Sequence, residues 1–153
     1  MVEFLRTHAN HPDFKRFIVD LDSEFKIRYP ESQHNFQPYN EVDANARVII
    51  GFTNQQPIGC GCFRTTIQKS TIEIKRMYVV PHFRNRGIGK KILELLEQWA
   101  VEQGFTTAIL ETGVNQPEAI AAYRKSGYQL IPNFPPYDTV MESICMEKKL
   151  KSG

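Results

Sequence analysis

The chain has 153 residues, of which 41% are hydrophobic and 24% are charged, and this ordinary composition predicts a single globular domain. Its 19 basic and 17 acidic residues nearly cancel to a formal net charge of +2, which argues against nucleic acid as a partner. No run approaches the ~20 apolar residues that span a bilayer, and the charged N-terminal segment is unlike a secretory signal. From the lack of such a run we expect no membrane partner. The odd set of three cysteines, without a secretory signal, predicts a cytoplasmic protein.

Apolar spacing divides the first 45 residues into a strand, a helix and a loop. Residues 2–7 are a short strand candidate, and Asn10 and Pro12 then open a segment with apolar side chains at helical spacing. From Tyr29 to Asn45 the periodicity disappears among prolines, asparagines and scattered charges, which predicts a long surface loop. Loops of this length are often functional.

The rest of the chain alternates strands and helices. Three successive strand candidates predict an antiparallel meander, because short turn signals separate them. A well-marked amphipathic helix follows, and Gly104 ends it. The complete order predicts an α/β fold with helices around a mixed sheet. The predicted elements are strands 47–53, 58–67 and 71–80, a helix 87–103, a strand 106–111, a helix 117–126, and strands 127–131 and 141–150.

A basic, glycine-containing turn before the long helix predicts an anion site. The first backbone N–H groups of a helix lack intrahelical acceptors and lie at the positive end of the helix dipole, so phosphate oxygens can accept from them. Gly87 and Gly89 would let such a ligand approach the backbone closely. The flanking cations Arg84, Arg86 and Lys90 add positive charge, so a diphosphate is the expected ligand. The alternative is that both glycines serve only a tightly packed helix start.

Two better-known glycine loops do not fit this turn. The loop of nucleotide triphosphatases requires a glycine where Arg84 stands and a serine or threonine where Lys91 stands. A Rossmann fingerprint requires its third glycine where Ile92 stands. The turn therefore belongs to neither class.

The pattern Arg84-x-x-Gly87-x-Gly89 closely resembles the acetyl-coenzyme A (acetyl-CoA) loop of the GNAT superfamily of N-acetyltransferases. The segment from Asn115 to Tyr128 resembles the second cofactor-contacting segment of that family. The resemblance runs from about residue 47 to 150, so the chain is identified as a member of this superfamily.

The resemblance implies a GNAT-like α/β fold, in which a mixed, mostly antiparallel central sheet has helices on both faces and a splayed strand pair holds the cofactor. Residues 1–153 would form one domain, with a variable acceptor-side region at 1–45 and a cofactor-binding core at 46–150. Acetyl-CoA would be the co-substrate, with no metal. The implied cofactor contacts are Met77, Tyr78, Val79, Arg84, Asn85, Arg86, Gly87, Ile88, Gly89, Lys90, Asn115 and Tyr123.

Glu73 is the first candidate for a general base in this reaction. An alkyl ammonium with a pKa near ~10.4 is mostly protonated at neutral pH, so a proton must leave before or during attack. By resemblance, Glu73 stands where some family members have a catalytic glutamate, and it would act directly or through water. The alternative is a solvated strand face, because Glu73 and Lys75 alternate with isoleucines.

The apolar pattern of the same strand changes phase after Ile74, because Met77 and Val79 fall on the parity of the preceding polar residues. A β-bulge would produce this switch, and so would burial of both faces. In the family, a bulge here splays two parallel strands and frees backbone amides near Met77 to Val79 for the thioester oxygen. We therefore expect a bulge.

Tyr123 is the candidate general acid. Its phenol, with an ordinary pKa near ~10, keeps its proton at pH 7 and can donate it to a departing thiolate. By resemblance it occupies the acid position of the family, although many helix tyrosines only pack a ring.

The acceptor is not defined by the sequence. The resemblance implies direct attack in a ternary complex by a primary amine of a small molecule, peptide or protein, and it permits a homodimer. The loop from Tyr29 to Asn45 and the segment 133–137 are expected to flank the amine. A non-catalytic acyl-CoA-binding sensor is the alternative function, since it needs the phosphate loop but no general acid. The four histidines lack metal-ligand spacing, so no metal is expected.

Overall fold

The computed structural model describes residues 1–28 and 44–151, which form seven strands and three α-helices. The strands are β1 (Val2–His8), β2 (Arg47–Thr53), β3 (Gln56–Thr65), β4 (Thr71–Val79), β5 (Thr107–Gly113), β6 (Gln129–Ile131) and β7 (Ser143–Lys149). The helices are α1 (Pro12–Arg28), α2 (Ile88–Glu102) and α3 (Pro117–Lys125), with short 3-10 turns at Pro81–Phe83 and Tyr137–Thr139. None of these helices is both long and apolar enough to cross a membrane.

All seven of these strands belong to one sheet with the order β1-β2-β3-β4-β5-β7-β6. Neighbouring strands are antiparallel except β4 and β5, which run parallel. Parallel neighbours need a crossover connection, and α2 supplies it. The predicted meander and the mixed, mostly antiparallel sheet are both confirmed.

Helices cover both faces of the sheet because the strands alternate apolar side chains between them. On β2, for example, Ile49 packs into the core under α2, whereas Val48 and Ile50 pack into the core under α1. Phe14 and Phe17 are the buried residues that α1 contributes. The predicted amphipathic spacing of both helices is therefore confirmed.

Predicted and observed element ends differ by a few residues. Strand β3 begins at Gln56, two residues before its predicted start, because Asn54 and Gln55 both have positive φ and make a two-residue hairpin turn. Strand β6 is shorter than predicted, since Gly127 takes a left-handed φ of 98° after α3. The predicted loop from Tyr29 to Asn45 lies outside the described residues, except for a turn at Ala44 and Asn45.

Candidate active site

Strand β4 carries a bulge at Arg76. Cys60 and Cys62 of β3 lie opposite Tyr78 and Lys75, so β4 has one residue more than β3 over this stretch. Arg76 takes a φ of 58°, in the left-handed region. Because β4 is also buried on both faces up to this point, the bulge and two-sided burial both contribute to the change of apolar phase.

The bulge redirects the last residues of β4. Met77 and Val79 pack against the core under α2, whereas Tyr78 joins the core under α1. Among the described residues, β4 pairs with β5 only from Thr71 to Ile74, so the two parallel strands separate beyond that point. The splayed strand pair that the resemblance implied is confirmed.

A cavity of about 430 Å³ lies between the end of β4, the start of α2 and helix α3. Its size suits a ligand, since ligand pockets typically measure about 300–1,000 Å³. Helix α1 closes one side. We call this cavity the larger cavity, because a smaller one adjoins it. The residues that line the larger cavity are Leu21, Glu24, Phe25, Met77, Tyr78, Val79, Arg84, Asn85, Gly89, Lys90, Leu93, Gln116, Glu118, Ala119, Ala122, Tyr123, Lys125 and Ser126.

The basic turn leads directly into α2. Arg84 donates from Nε to the Val79 carbonyl at 2.7 Å and from an Nη to Glu24 at 2.6 Å, which fixes its guanidinium at the rim of the larger cavity. Gly87 is the N-cap with a φ of 80°, and no side chain caps the helix. The first amides of α2 therefore point out of the helix without a side-chain acceptor.

The two glycines of the turn are not explained by tight packing. A Cβ placed on Gly87 would meet nothing within 4 Å, and one on Gly89 would meet only Val79 Cγ2 at 3.6 Å, an ordinary contact. Gly61 is a contrast, because its Cβ would collide with Met77 and press on α2 at 3.1 Å. Gly87 is suited to its left-handed φ, and Gly89 leaves open space beside the helix amides.

The structure brings most of the predicted cofactor contacts to one place. Those that line the larger cavity are Met77, Tyr78, Val79, Arg84, Asn85, Gly89, Lys90 and Tyr123. Four do not. Arg86 lies over the ring of Phe83, Gly87 forms the N-cap, Ile88 is buried in the core, and Asn115 is exposed in the turn before α3.

Gln116, which sequence reasoning missed, lines the larger cavity next to Asn115. Its Oε1 accepts from the Gly113 amide at 3.1 Å, so the side chain bridges the end of β5 and the start of α3. No motif indicated it, because glutamine at a helix start has no distinctive pattern.

A second cavity, of about 110 Å³, lies next to the larger one. The two cavities share Leu21, Phe25, Met77, Gln116, Ala119 and Tyr123 as lining residues. The smaller cavity is polar on its other sides, where Glu73, Lys75, Arg76, Glu111 and Tyr137 line it. A substrate in each cavity would therefore meet the other across a thin common boundary.

Glu73 is 2% exposed, so the predicted alternative of a solvated strand face is wrong. Arg64 donates to Glu73 Oε1 from Nε at 3.1 Å and from an Nη at 2.8 Å, and Tyr137 Oη donates to Oε2 at 3.2 Å. Lys75 Nζ donates to the same Tyr137 oxygen at 2.9 Å and lies 3.7 Å from Glu73. Burial lowers the pKa of Lys75, although the charge of Glu73 opposes this shift.

Glu111 is a second carboxyl group in the smaller cavity, and sequence reasoning missed it. It lies on β5 one residue beyond the last pair with β4, and Ser143 Oγ donates to its Oε2 at 2.8 Å. Burial raises its pKa to about 7, although the Ser143 hydrogen bond and the Lys75 charge oppose this shift. In the sequence it is one polar residue at the end of an apolar strand, and its partner stands 32 positions away.

Tyr123, on α3, lies at the boundary between the two cavities. Its ring packs edge-on against Tyr128 with the centroids 5.8 Å apart. Burial, with a further contribution from the Glu111 charge, raises the pKa of its phenol to about 12. The hydroxyl therefore carries a proton at neutral pH.

The fold places two adjoining cavities beside a splayed strand pair, and comparison with known proteins assigns the chain to the acetyltransferases. The sequence matches the Acetyltransferase (GNAT) family over residues 13–128, and the chain belongs to that family. It is 34% identical over 136 residues to a protein of Azospirillum brasilense named IAA acetyltransferase, covering 88% of this chain and 89% of the relative.

Solved structures agree with this assignment. A Klebsiella pneumoniae protein assigned to the acyl-CoA N-acyltransferases matches with a TM-score of 0.80 and 29% identity over 99% of both chains. The PaiA N-acetyltransferase of Thermoplasma acidophilum, solved in complex with coenzyme A, has a TM-score of 0.72 and 17% identity over 97% of this chain and 99% of that one. Because the second match has only 17% identity, it supports the fold alone.

Proposed function

We propose that this chain transfers the acetyl group of acetyl-CoA to a primary amine by direct attack in a ternary complex. The observation that carries the proposal is the contact between two cavities at Met77 and Tyr123. The larger cavity opens towards the basic turn, and the smaller one holds two carboxyl groups. Donor and acceptor would therefore approach the same boundary from different sides.

The donor would enter the larger cavity with its diphosphate at the start of α2. Uncapped helix amides, the open space beside Gly89 and the cations Arg84 and Lys90 all suit an anion there. The coenzyme A complex of the PaiA relative supports the same class of donor. Asn85 also lines this cavity, and Arg86, Gly87, Ile88 and Asn115 would contribute only through backbone or rim contacts.

The gap between β4 and β5 would hold the reacting thioester. Beyond Ile74, β4 has no ladder partner in β5 among the described residues, so backbone amides near Met77 to Val79 can donate to the thioester oxygen. Tyr123 would protonate the departing sulfur, since the raised pKa of its phenol keeps the proton available at neutral pH. The sequence predicts Glu73 as the proton acceptor, and the smaller cavity holds a second carboxyl group, Glu111, that can take this role.

The acceptor is proposed by class. A small polar cavity with Glu73, Glu111 and Lys75 on its walls suits the primary amine of a small molecule, or the tip of a peptide or protein side chain. Three free, buried cysteines are compatible with a cytoplasmic location. We also propose that residues 1–153 act as one domain. Residues 1–45 would not serve the acceptor alone, because α1 lines both cavities.

The test is release of free thiol from acetyl-CoA in the presence of a panel of primary amines. Amine-dependent release supports an acetyltransferase that uses amines. Calorimetric titration with acetyl-CoA in the same buffer separates the alternative function, because a sensor would bind acetyl-CoA without releasing thiol for any amine. Failure to bind acetyl-CoA at millimolar concentration and low salt would overturn both.

Replacing Tyr123 with Phe tests the general acid. The ring and its packing against Tyr128 stay, but the proton donor is lost, so we expect kcat to fall by roughly 10²-fold or more. Acetyl-CoA affinity measured by calorimetry should stay within about threefold of wild type. An unchanged kcat would remove Tyr123 from the mechanism.

A further inference from the structure

Glu111 lies where the two splayed strands separate. In the parallel ladder Glu73 pairs with Ile109, so Glu111, two residues further along β5, lies on the same face of the sheet as Glu73. The ladder ends at Leu110, and Glu111 is therefore the first β5 residue that no longer faces a β4 partner. Its side chain lines the smaller cavity together with Tyr123.

The two carboxyl groups of this cavity differ in how many of their oxygens are engaged. Both oxygens of Glu73 accept hydrogen bonds, two from Arg64 and one from Tyr137. Glu111 accepts one, from Ser143, through Oε2. Within residues 1–28 and 44–151 no partner is found for Glu111 Oε1. Glu111 Oε1 is therefore available to accept a proton in the smaller cavity.

The pKa of Glu111 also suits a general base that works at neutral pH. Burial raises its pKa to about 7, and a general base is most effective when its pKa is near the working pH. The proposed proton donor, Tyr123, lines the same cavity, and burial raises the pKa of its phenol to about 12. Two titratable groups with such separated pKa values in one cavity are typical of an acid and a base with different roles.

We propose that Glu111 is the general base of this site, and that Glu73 is a positioning residue that holds Tyr137 and Lys75 in place. This inference rests on the proposed function. The nitrogen–carbon bond to the acetyl group forms as the carbon–sulfur bond breaks. The amine attacks in its neutral form, after its ammonium form has lost one proton to solvent. A second amine proton moves to Glu111 Oε1, the thiolate receives the proton of Tyr123, and Glu111 returns its proton to the phenolate through solvent, so that the amide and the free thiol are the products.

The experiment compares pH profiles of kcat/KM for a primary amine whose own pKa lies below about 6, so that the acceptor stays neutral while Glu111 titrates. Wild type should lose activity as the pH falls through about 7, because the base becomes protonated. Glu111→Gln should lower kcat/KM by at least about 10²-fold and remove this acidic limb. Glu147→Gln is the matched control, since it changes a carboxylate on β7 that lines neither cavity.

Two further variants distinguish a base from a structural group. Ser143→Ala removes the hydrogen bond that opposes the raised pKa of Glu111, so the acidic limb should move to higher pH while the limb itself persists. Glu73→Gln should lower the rate but keep the limb near its wild-type position. If Glu73→Gln abolishes the limb and Glu111→Gln keeps it, the proton acceptor is Glu73 and our assignment is wrong.

The remaining outcomes are distinct. Amine-dependent thiol release by wild type together with an unchanged kcat/KM in Glu111→Gln overturns the role of Glu111 and leaves the proposed function intact. No amine-dependent release by wild type, despite acetyl-CoA binding, overturns the proposed function itself. A ¹³C NMR titration of the glutamate carboxyls, with the Glu111 signal identified by its loss in Glu111→Gln, should give a midpoint near 7; a midpoint near 4.5 would contradict the proposal.

Discussion

Burial of Glu111 has a cost for stability that can be measured separately from catalysis. In the folded chain its carboxyl keeps a proton up to a pKa of about 7, against an ordinary value of 4.5. Between these values the folded state binds more protons than the unfolded state, so the free energy of unfolding falls as the pH rises from about 4.5 to 7. Above pH 7 the folded state carries a buried charge that the unfolded state solvates.

Glu111→Gln should therefore be more stable than wild type at pH 8. At about 1.4 kcal/mol per pKa unit, the gain is on the order of 3 kcal/mol, and it should shrink towards zero at pH 4.5. Urea unfolding at both pH values measures it, with Glu147→Gln as the control. Equal stability of the variant and wild type at pH 8 would contradict the raised pKa.

Residue roles that depend on distant partners could not be predicted from the sequence. Glu73 and Lys75 alternate with isoleucines, and that pattern is typical of a solvated face. Both are buried, and Tyr137 hydrogen-bonds to them from 64 and 62 residues away. The position of Tyr123 beside both cavities was predictable, since it belongs to a segment with a recognisable resemblance. The environment of Glu111 depends on Ser143 and Lys75, on neighbouring strands.

At the scale of elements, the glycines near the two ends of α2 have different roles. Gly89 has an ordinary φ and room for a methyl group beside Val79, so folding does not require it. Gly104, at the other end of α2, has a φ of 92° that side chains rarely adopt. The first glycine should matter for binding and the second for stability.

Gly89→Ala should keep or raise stability, because alanine is favoured over glycine in a helix by about 0.5–1 kcal/mol. It should weaken acetyl-CoA binding by about tenfold or more, because its Cβ fills the space beside the helix amides. Gly104→Ala should lower the free energy of unfolding by about 1 kcal/mol and leave acetyl-CoA affinity unchanged. Thermal unfolding and calorimetric titration check both variants; normal affinity in Gly89→Ala would place the diphosphate elsewhere.

Elements were predictable where hydrophobic periodicity was strong. The bounds of α2 and β2 were predicted within one residue, because each has an unbroken apolar pattern. The bulge at Arg76 was indicated by the change of phase. The bounds of β3 and the length of β6 were not, because positive φ angles at Gln55 and Gly127 set where these strands begin, and a hydrophobic pattern does not encode them.

On the scale of the whole molecule, ion pairs join α1 to the sheet at the site. Asp22 pairs with Arg76 at the bulge at 2.6 Å, and Glu24 pairs with Arg84 of the basic turn at 2.6 Å. Glu24 thus places a negative charge in the cavity where the donor phosphates are proposed to lie. It competes with them for the guanidinium.

Glu24→Gln should tighten acetyl-CoA binding by about three- to tenfold at low salt, because it releases Arg84 and removes a repulsive charge. The difference should shrink at 0.5 M salt, where partly exposed charges are screened. Asp13→Asn is the control, since Asp13 pairs with Arg16 on the same helix and lines neither cavity. Weaker binding in Glu24→Gln would show that the pair holds Arg84 in its binding position.

Leu21 and Phe25 of α1 touch both cavities. Helix α1 would thus contact both ligands. A shift of α1 that accompanies binding of the first ligand is already made when the second ligand binds. Thermodynamic linkage then makes the effect mutual: the factor by which a bound donor changes acceptor affinity equals the factor by which a bound acceptor changes donor affinity. The affinity for each substrate would in this way depend on whether the other substrate is bound.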